Sequence, residues 1–315
     1  LPRYAPLAAR LPALMNLRDR VPALARASER WLGFSARRSL PRWGRPWTPA
    51  GVPSRPEAVA GDGRDLVLFG DTFNRYFERA NLEAAERVLA AAGYRLHVAG
   101  APGGGRPPCC GRTYLSAGLV EQARREARRT LDALAPFVAR GARVVGLEPS
   151  CLLTFRDEFA ALLPKAEVEP LAHASFLVEE VLAEDLAAGA VALPLADQSG
   201  RTALLHGHCH QKAFGAMGPV EAVLKAVPGL AVRPVESSCC GMAGAFGYGA
   251  ATIDVSFAMA ELSLLPAVRA AGPGDIVVAD GTSCRHQIRD GAGREAVHVV
   301  RVLDAALEPR RVGGP

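Results

Sequence analysis

The chain has 315 residues, 49% hydrophobic and 22% charged, with a formal net charge of +5, which reads as a soluble globular protein long enough for two domains. No run approaches the roughly eighteen apolar residues of a membrane span, and no charged start, apolar run and small-residue cleavage site marks a signal peptide, so the expected compartment is the cytoplasm. The seven cysteines are odd in number and clustered near histidines, which fits reduced thiols in metal or redox chemistry better than a secreted disulfide framework. The chain begins with Leu1 and is expected to be a piece of a longer polypeptide, with a processed chain as the alternative.

The basicity belongs to the N-terminus. Residues 1–60 hold eleven Arg against Asp19, Glu29 and Glu57, a balance of +8, which leaves −3 for the rest. No nucleic-acid motif accompanies these arginines, which are interspersed with Pro, Leu and Ala, and nucleic acid is not an expected partner. A solvated arm lying on a neighbouring domain is expected, with peripheral membrane contact as the alternative. Apolar spacing over 1–34 (Leu7, Leu11, Leu14, Leu17, Leu24, Trp31) is helical, and Pro6, Pro12 and Pro22 cut it into short helices with each proline in a first turn. Residues 40–60 carry five prolines and read as an extended linker pinned to a surface by Trp43 and Trp47.

From residue 65 the pattern changes to short buried strands alternating with Ala-, Leu- and Arg-rich helices. Strands are expected at 65–71, 94–100 and 143–149, with helices over 76–92 and 113–140. The order then repeats: strand 202–207, helix 218–227, strand 230–236, a Gly-rich loop, helix 254–271, strand 275–280, a helix from Ser283 and a last strand at 296–302. Strands separated by helices imply parallel pairing with right-handed crossovers.

Three landmarks match between the halves. LVLFGDTF (66–73) corresponds to ALLHGHCH (203–210), Cys109-Cys110-Gly111 to Cys239-Cys240-Gly241, and GLEPSC (146–151) to ADGTSC (279–284), at offsets of 137, 130 and 133 residues. This is an internal duplication. The expected fold is α/β: two lobes with parallel sheets related by a pseudo-two-fold axis, plus the helical arm. The expected divisions are 1–60 (arm and linker), 61–190 (first cysteine-rich repeat) and 191–315 (second).

Each landmark falls where a strand ends or a helix begins, so three segments per half bring thiols to the carboxyl edge of a sheet, where open α/β folds bind ligands. Adjacent cysteines do not readily bridge each other, but two neighbouring thiolates can reach one metal centre if the chain turns sharply, which the following glycine permits. In the second half Cys209, Cys239, Cys240 and Cys284 converge, with His206, His208, His210 and His286 nearby. Four thiolates from three loops suit an iron–sulfur cluster or zinc; the histidines are expected to hydrogen-bond sulfur or fix the loops. Gly241, Gly244, Gly247 and Gly249 do not follow the dinucleotide fingerprint and are expected to wrap backbone amides around sulfur. Glu148 and Asp157 read as helix caps rather than an acid/base pair.

HCHQKAF, ESSCCGMAGAFGY and ADGTSCRHQ together resemble the tandem cysteine-rich (CCG) module of heterodisulfide reductase B-type and glycolate oxidase iron–sulfur subunits. Over residues 65–303 the chain is most similar to the C-terminal third of FAD-linked D-lactate or D-2-hydroxyacid dehydrogenases. The resemblance implies an iron–sulfur module that accepts electrons from a flavin on an upstream domain, by way of a ferredoxin-like domain, and passes them to a quinone or another acceptor. A thiol/disulfide reductase site and a structural zinc module are the alternatives. Carried over, Cys209, Cys239, Cys240 and Cys284 match the second repeat's ligands, with Gly281 at the position of a further cysteine. In the first repeat Cys109, Cys110 and Cys151 match, but Thr72 and Glu148 replace two cysteines, so zinc, a labile centre or no metal is expected there.

Overall fold

The computed structural model describes residues 1–49, 51, 52, 54–101 and 104–308. The arm holds four short helices, α1 (Ala5–Ala8), α2 (Pro12–Met15), α3 (Leu17–Arg20) and α4 (Pro22–Leu32). As the spacing predicts, Pro6, Pro12 and Pro22 stand in first turns, where a missing N–H costs no helical bond. Beyond the arm, Trp43 and Trp47 are buried. Trp47 lies against the Arg75 guanidinium, and its backbone N–H donates to the Arg75 carbonyl at 2.8 Å.

The first repeat runs β1 (Asp65–Phe69), α5 (Thr72–Tyr76), α6 (Arg79–Ala91), β2 (Arg95–His97), α7 (Arg112–Leu115), α8 (Val120–Val138), β3 (Arg143–Gly146), α9 (Pro149–Arg156), α10 (Phe159–Leu162), α11 (Lys165–Ala174), β4 (Ser175–Leu177) and α12 (Val178–Ala187). The second runs β5 (Thr202–His206), α13 (Cys209–Ala213), α14 (Met217–Lys225), β6 (Ala231–Pro234), α15 (Ile253–Glu261), α16 (Leu264–Ala270), β7 (Ile276–Ala279), α17 (Thr282–Ala292), β8 (Ala296–Val297) and α18 (Val299–Ala306). The sheets have orders β2-β1-β3-β4 and β6-β5-β7-β8, and every pairing is parallel. The register repeats too: Leu66 pairs with Arg143, and its counterpart Ala203 with Ile276. The chain is therefore an α/β protein of two like lobes.

Two expectations need correction. The residues expected as a strand at 296–302 form only the two-residue β8, after which His298 caps α18 by accepting the Val300 N–H at 3.2 Å. Val299, Val300, Val302, Leu303 and Ala306 are buried along α18, so the valine-rich run has a helical stripe rather than a strand's alternation. The helices expected over 113–140 and 254–271 are each broken in two. In the first, Gly118 turns the chain at φ +70°, a conformation glycine tolerates without the usual Cβ penalty.

Strand alternation decides what each sheet face covers. Leu66 and Leu68 of β1, with Ala203 and Leu205 of β5, enter one apolar core shared by both lobes, together with Val88, Val181, Val223 and Leu303. The opposite faces (Val67 and Phe69; Leu204) close over separate cores that contain the buried cysteines. Packing between lobes is reciprocal: α6 of the first lies on α18 of the second, and α12 of the first on α14 of the second. Polar clamps border this seam, where Arg285 donates to both Glu78 oxygens at 2.9 and 2.5 Å.

Candidate metal centres

In the second repeat, β5 delivers His206 and the tight Gly207 turn, and α13 begins at Cys209. A Cβ at Gly207 would meet the Met217 sulfur and the Lys212 side chain. The His208 ring caps α13, its Nδ1 accepting the His210 N–H at 3.2 Å. Gln211 then ties this helix start to the lobe seam: its Oε1 accepts the His208 N–H at 3.1 Å, and its Nε2 donates to buried Glu179 and Asp280 at 2.7 and 2.8 Å. Cys239 and Cys240 arrive on the loop after β6, and Cys284 lies in the first turn of α17.

The four thiols form a chain of contacts, Cys209 with Cys239, Cys239 with Cys240, and Cys240 with Cys284. Cys209 is exposed, Cys239 half-buried, and Cys240 and Cys284 are buried. Charge is shared unevenly among them. Donation from Cys209 and Cys240 draws Cys239 down towards thiolate, and the Gly241 N–H adds to this at 3.3 Å. Donation from Cys240 draws Cys284 down against its burial. Cys209 and Cys240 are pushed up in turn, first by these partners and then by burial.

Geometry requires glycine at Gly241. It sits at φ +85°, and a Cβ there would collide with the Ser256 carbonyl. Of the four loop glycines it is the one that directs its amide at sulfur; Gly247 instead donates to the Met242 carbonyl at 2.7 Å. Amides also reach sulfur from His210 and Met242. Lys212 spans the loop by donating to the Ser237 and Ser238 carbonyls. The arm closes the far side, where Ser35 donates its N–H to the Tyr248 carbonyl at 2.8 Å and the fully buried Arg38 donates to the Gly247 carbonyl at 3.0 Å. Ser39 lies 2.7 Å from His286 Nε2 and donates to Asp290 at 2.9 Å.

The histidines divide by what their nitrogens meet. His286 is engaged at both, with Ser39 and with the Tyr248 hydroxyl at 2.9 Å. His210 Nε2 lies 3.2 Å from Arg112 of the first repeat. His206 Nδ1 lies 2.8 Å from Ser237 Oγ, while its buried Nε2 has no hydrogen-bond partner. Among the described residues, His206, Cys240 and Cys284 form a group whose donor atoms all lie within 4.8 Å of one another. Spacing alone does not separate His206 from its neighbours. The available signal is a histidine closing an otherwise apolar buried strand.

The first repeat gathers its matching residues differently. Cys109, Cys110 and Cys151 are all buried, with Cys110 in contact with the other two. Thr72 donates to the Cys109 sulfur at 3.4 Å, and the Gly111 N–H approaches it at 3.5 Å. Thr130 holds the Cys109 backbone on both sides, accepting from its N–H at 3.1 Å and donating to its carbonyl at 2.8 Å. Glu148 caps α9 as expected, whereas Asp157 stands at the C-terminal end of that helix and caps no helix start. Donation from Cys110 pulls Cys151 down, but burial and the Asp71 and Glu148 carboxylates push it up to about 12. Cys109 and Cys110 are also held well above the usual thiol range. All three first-repeat thiols are thus pushed up, whereas in the second repeat Cys239 and Cys284 are drawn down.

The second donor set fits a soft metal or iron–sulfur centre: four sulfurs from three loops, amides aimed at them, and a buried imidazole nitrogen without a partner. A fifth cysteine has no room, because a Cβ at Gly281 would run into the His208 ring. No helix among the described residues is long and apolar enough to cross a membrane.

Comparison with known proteins agrees with this chemistry. The chain is 26% identical over 320 aligned residues to D-2-hydroxyglutarate dehydrogenase of Escherichia coli (strain K12), covering 95% of this chain and 29% of that protein. The Pseudomonas putida protein of the same name is 28% identical over 76% of the chain and 22% of its own length. One subunit of the anaerobic glycerol-3-phosphate dehydrogenase of E. coli K12 is 26% identical over 63% of the chain and 49% of its own. The chain thus spans under a third of the length of the D-2-hydroxyglutarate dehydrogenases it resembles. Residues 203–289 match the cysteine-rich domain (CCG) family, so the second lobe carries a CCG domain in a chain whose relatives are dehydrogenases.

Proposed function

We propose that the chain is the iron–sulfur electron-transfer module of an FAD-linked D-2-hydroxyacid dehydrogenase whose substrate is of the D-2-hydroxyglutarate, D-lactate or glycolate class. The carrying observation is the convergence of Cys209, Cys239, Cys240 and Cys284, in a span that aligns with D-2-hydroxyglutarate dehydrogenases over 95% of the chain. These cysteines would hold the cluster, which when bound accepts and releases single electrons at a potential tuned by hydrogen bonds to its sulfurs. The chain's own residues supply that environment: the Gly241 amide donates to the Cys239 sulfur, and the buried setting of Cys240 and Cys284 excludes water. Cys209, being exposed, would mark the edge where electrons enter or leave.

Flavin and ferredoxin-like domains upstream would deliver the electrons, and a quinone or another acceptor would take them. The arm would serve the docking, because Leu7, Leu11, Leu14, Trp31 and Leu32 remain exposed among its arginines. This face suits an acidic upstream iron–sulfur domain, with a peripheral contact at the inner membrane face as its second use. Cys109, Cys110 and Cys151 would hold zinc, a labile centre or no metal.

The test is iron and acid-labile sulfide analysis after anaerobic purification, followed by addition of D-2-hydroxyglutarate or D-lactate in the presence of the intact flavin portion. Iron with sulfide, reduced by the hydroxy acid, is expected. Zinc without sulfide would leave a structural module instead.

A further inference from the structure

We propose that His206 is a fifth ligand of the second-repeat centre, its Nε2 standing in for the sulfur that Gly281 cannot supply. This rests on the reading that the centre is an iron–sulfur cluster.

The tautomer argues first. Lys212 Nζ, a donor only, lies 3.4 Å from Ser237 Oγ, and that hydroxyl's own proton points to the Val235 carbonyl at 3.5 Å. Ser237 Oγ lies 2.8 Å from His206 Nδ1, and the assignment takes the tautomer in which that hydroxyl accepts the Nδ1 proton. With the proton on Nδ1, the Nε2 lone pair is free, as it is in metal-binding histidines whose other nitrogen donates to a fixed partner.

Placement argues second. His206 is 1% exposed, its Nε2 is buried without a partner, and its donor atom lies within 4.8 Å of the Cys240 and Cys284 sulfurs. A buried polar atom left unpaired is destabilising, so an orphan beside a thiol cluster calls for a partner. The first-repeat counterpart is Phe69, packed edge-on against Phe155 at 4.9 Å, which can donate nothing.

The other histidines are excluded by their bonds. His208 Nδ1 accepts from the His210 N–H, which puts the ring proton on Nε2 and removes its lone pair. His286 is engaged at both nitrogens, and His210 Nε2 faces Arg112.

The experiment uses the full chain, reconstituted anaerobically with ferrous iron and sulfide and examined in its paramagnetic state by pulsed electron paramagnetic resonance. The unmodified chain, produced with 15N-histidine, should show a histidine nitrogen coupled to the cluster. His206→Ala should lose that coupling and weaken iron binding by more than about tenfold. His208→Ala should keep the coupling, and His206→Cys should restore iron content without it. A labelled chain with an intact cluster and no nitrogen coupling would overturn the assignment, as would coupling that survives in His206→Ala; the labelled unmodified chain decides even where a variant fails to fold. Reduction by a hydroxy acid is scored separately: a nitrogen-coupled cluster that no hydroxy acid reduces would sink the functional reading alone. Failure of any cluster to assemble would remove both.

Discussion

Glu148 joins the two repeats at their helix starts: its Oε2 accepts the Thr282 N–H of α17 at 2.8 Å, while its Oε1 accepts the Ser150 hydroxyl of α9 at 2.7 Å. One buried carboxylate thus satisfies the start of its own helix and of the helix that bears Cys284. At a position where the resemblance leads one to expect a thiolate, the first repeat carries an inter-lobe clamp. Glu148→Ala should destabilise the chain by about 1–3 kcal/mol, because it leaves the buried Thr282 N–H unpaired. Glu148→Gln, whose amide oxygen can still accept, should cost less. Urea unfolding followed by circular dichroism gives the order, and equal losses would refute the clamp.

The repeats should differ in their response to thiol loss. Cys240 contacts both Cys239 and Cys284, so Cys240→Ser should abolish visible absorbance and electron transfer. Cys110→Ser removes a thiol from the pocket whose cysteines are held neutral and should leave most of the iron, at a cost mainly in stability. Iron content per chain decides: equal losses would place the working centre in both repeats.

Gly111 and Gly241 occupy matching left-handed positions, at φ +80° and +85°, yet their surroundings differ. An added methyl at Gly111 would press on the Ala123 carbonyl at 3.2 Å, whereas at Gly241 it would overlap the Ser256 carbonyl. Gly111→Ala should therefore cost about 1–2 kcal/mol of backbone strain and little iron. Gly241→Ala should displace the Cys239–Cys240 turn and lose the centre. Iron-to-protein ratios that fall together in both variants would contradict this contrast.

Acid should open the seam between lobes. Burial raises the Glu78 carboxyl, but the charge and hydrogen bonds of Arg285 outweigh it and hold the group at about 2. A carboxyl depressed in the folded state contributes its full stability above the unfolded value of 4.5 and loses it as pH falls towards 2. Stability should decline through that window, and Glu78→Gln should flatten the slope. A thermal-melting series in which both chains lose stability in parallel between pH 5 and 2 would disprove it.

Much of this architecture was legible from three matched landmarks, because each lies at a strand end and strand ends define the sheet edge. The thiols themselves needed only the duplicated Cys-Cys-Gly. Helix breaks at Gly118 and after Leu262 were not visible in long apolar periodicities, since a pattern that resumes in phase hides the turn between its halves. Residues 296–302 misled for a related reason: valine-rich segments suit either period, and only contact with α6 chooses. The roles of the four histidines were equally hidden. Each depends on a partner distant in sequence, such as Ser39 for His286 or Ser237 for His206, and spacing carries no record of it.

The reciprocal seating of α6 on α18 and of α12 on α14 has the form of a two-fold homodimer whose subunits have been joined. In such a dimer any change to one copy is made in both. Once the copies share a chain they can diverge separately, while the tether keeps them together at high effective concentration. One copy could then carry Thr72 where the other retains its counterpart Cys209. Separated halves should each expose the apolar seam, so co-expressed fragments 1–190 and 191–315 would be recovered together or not at all.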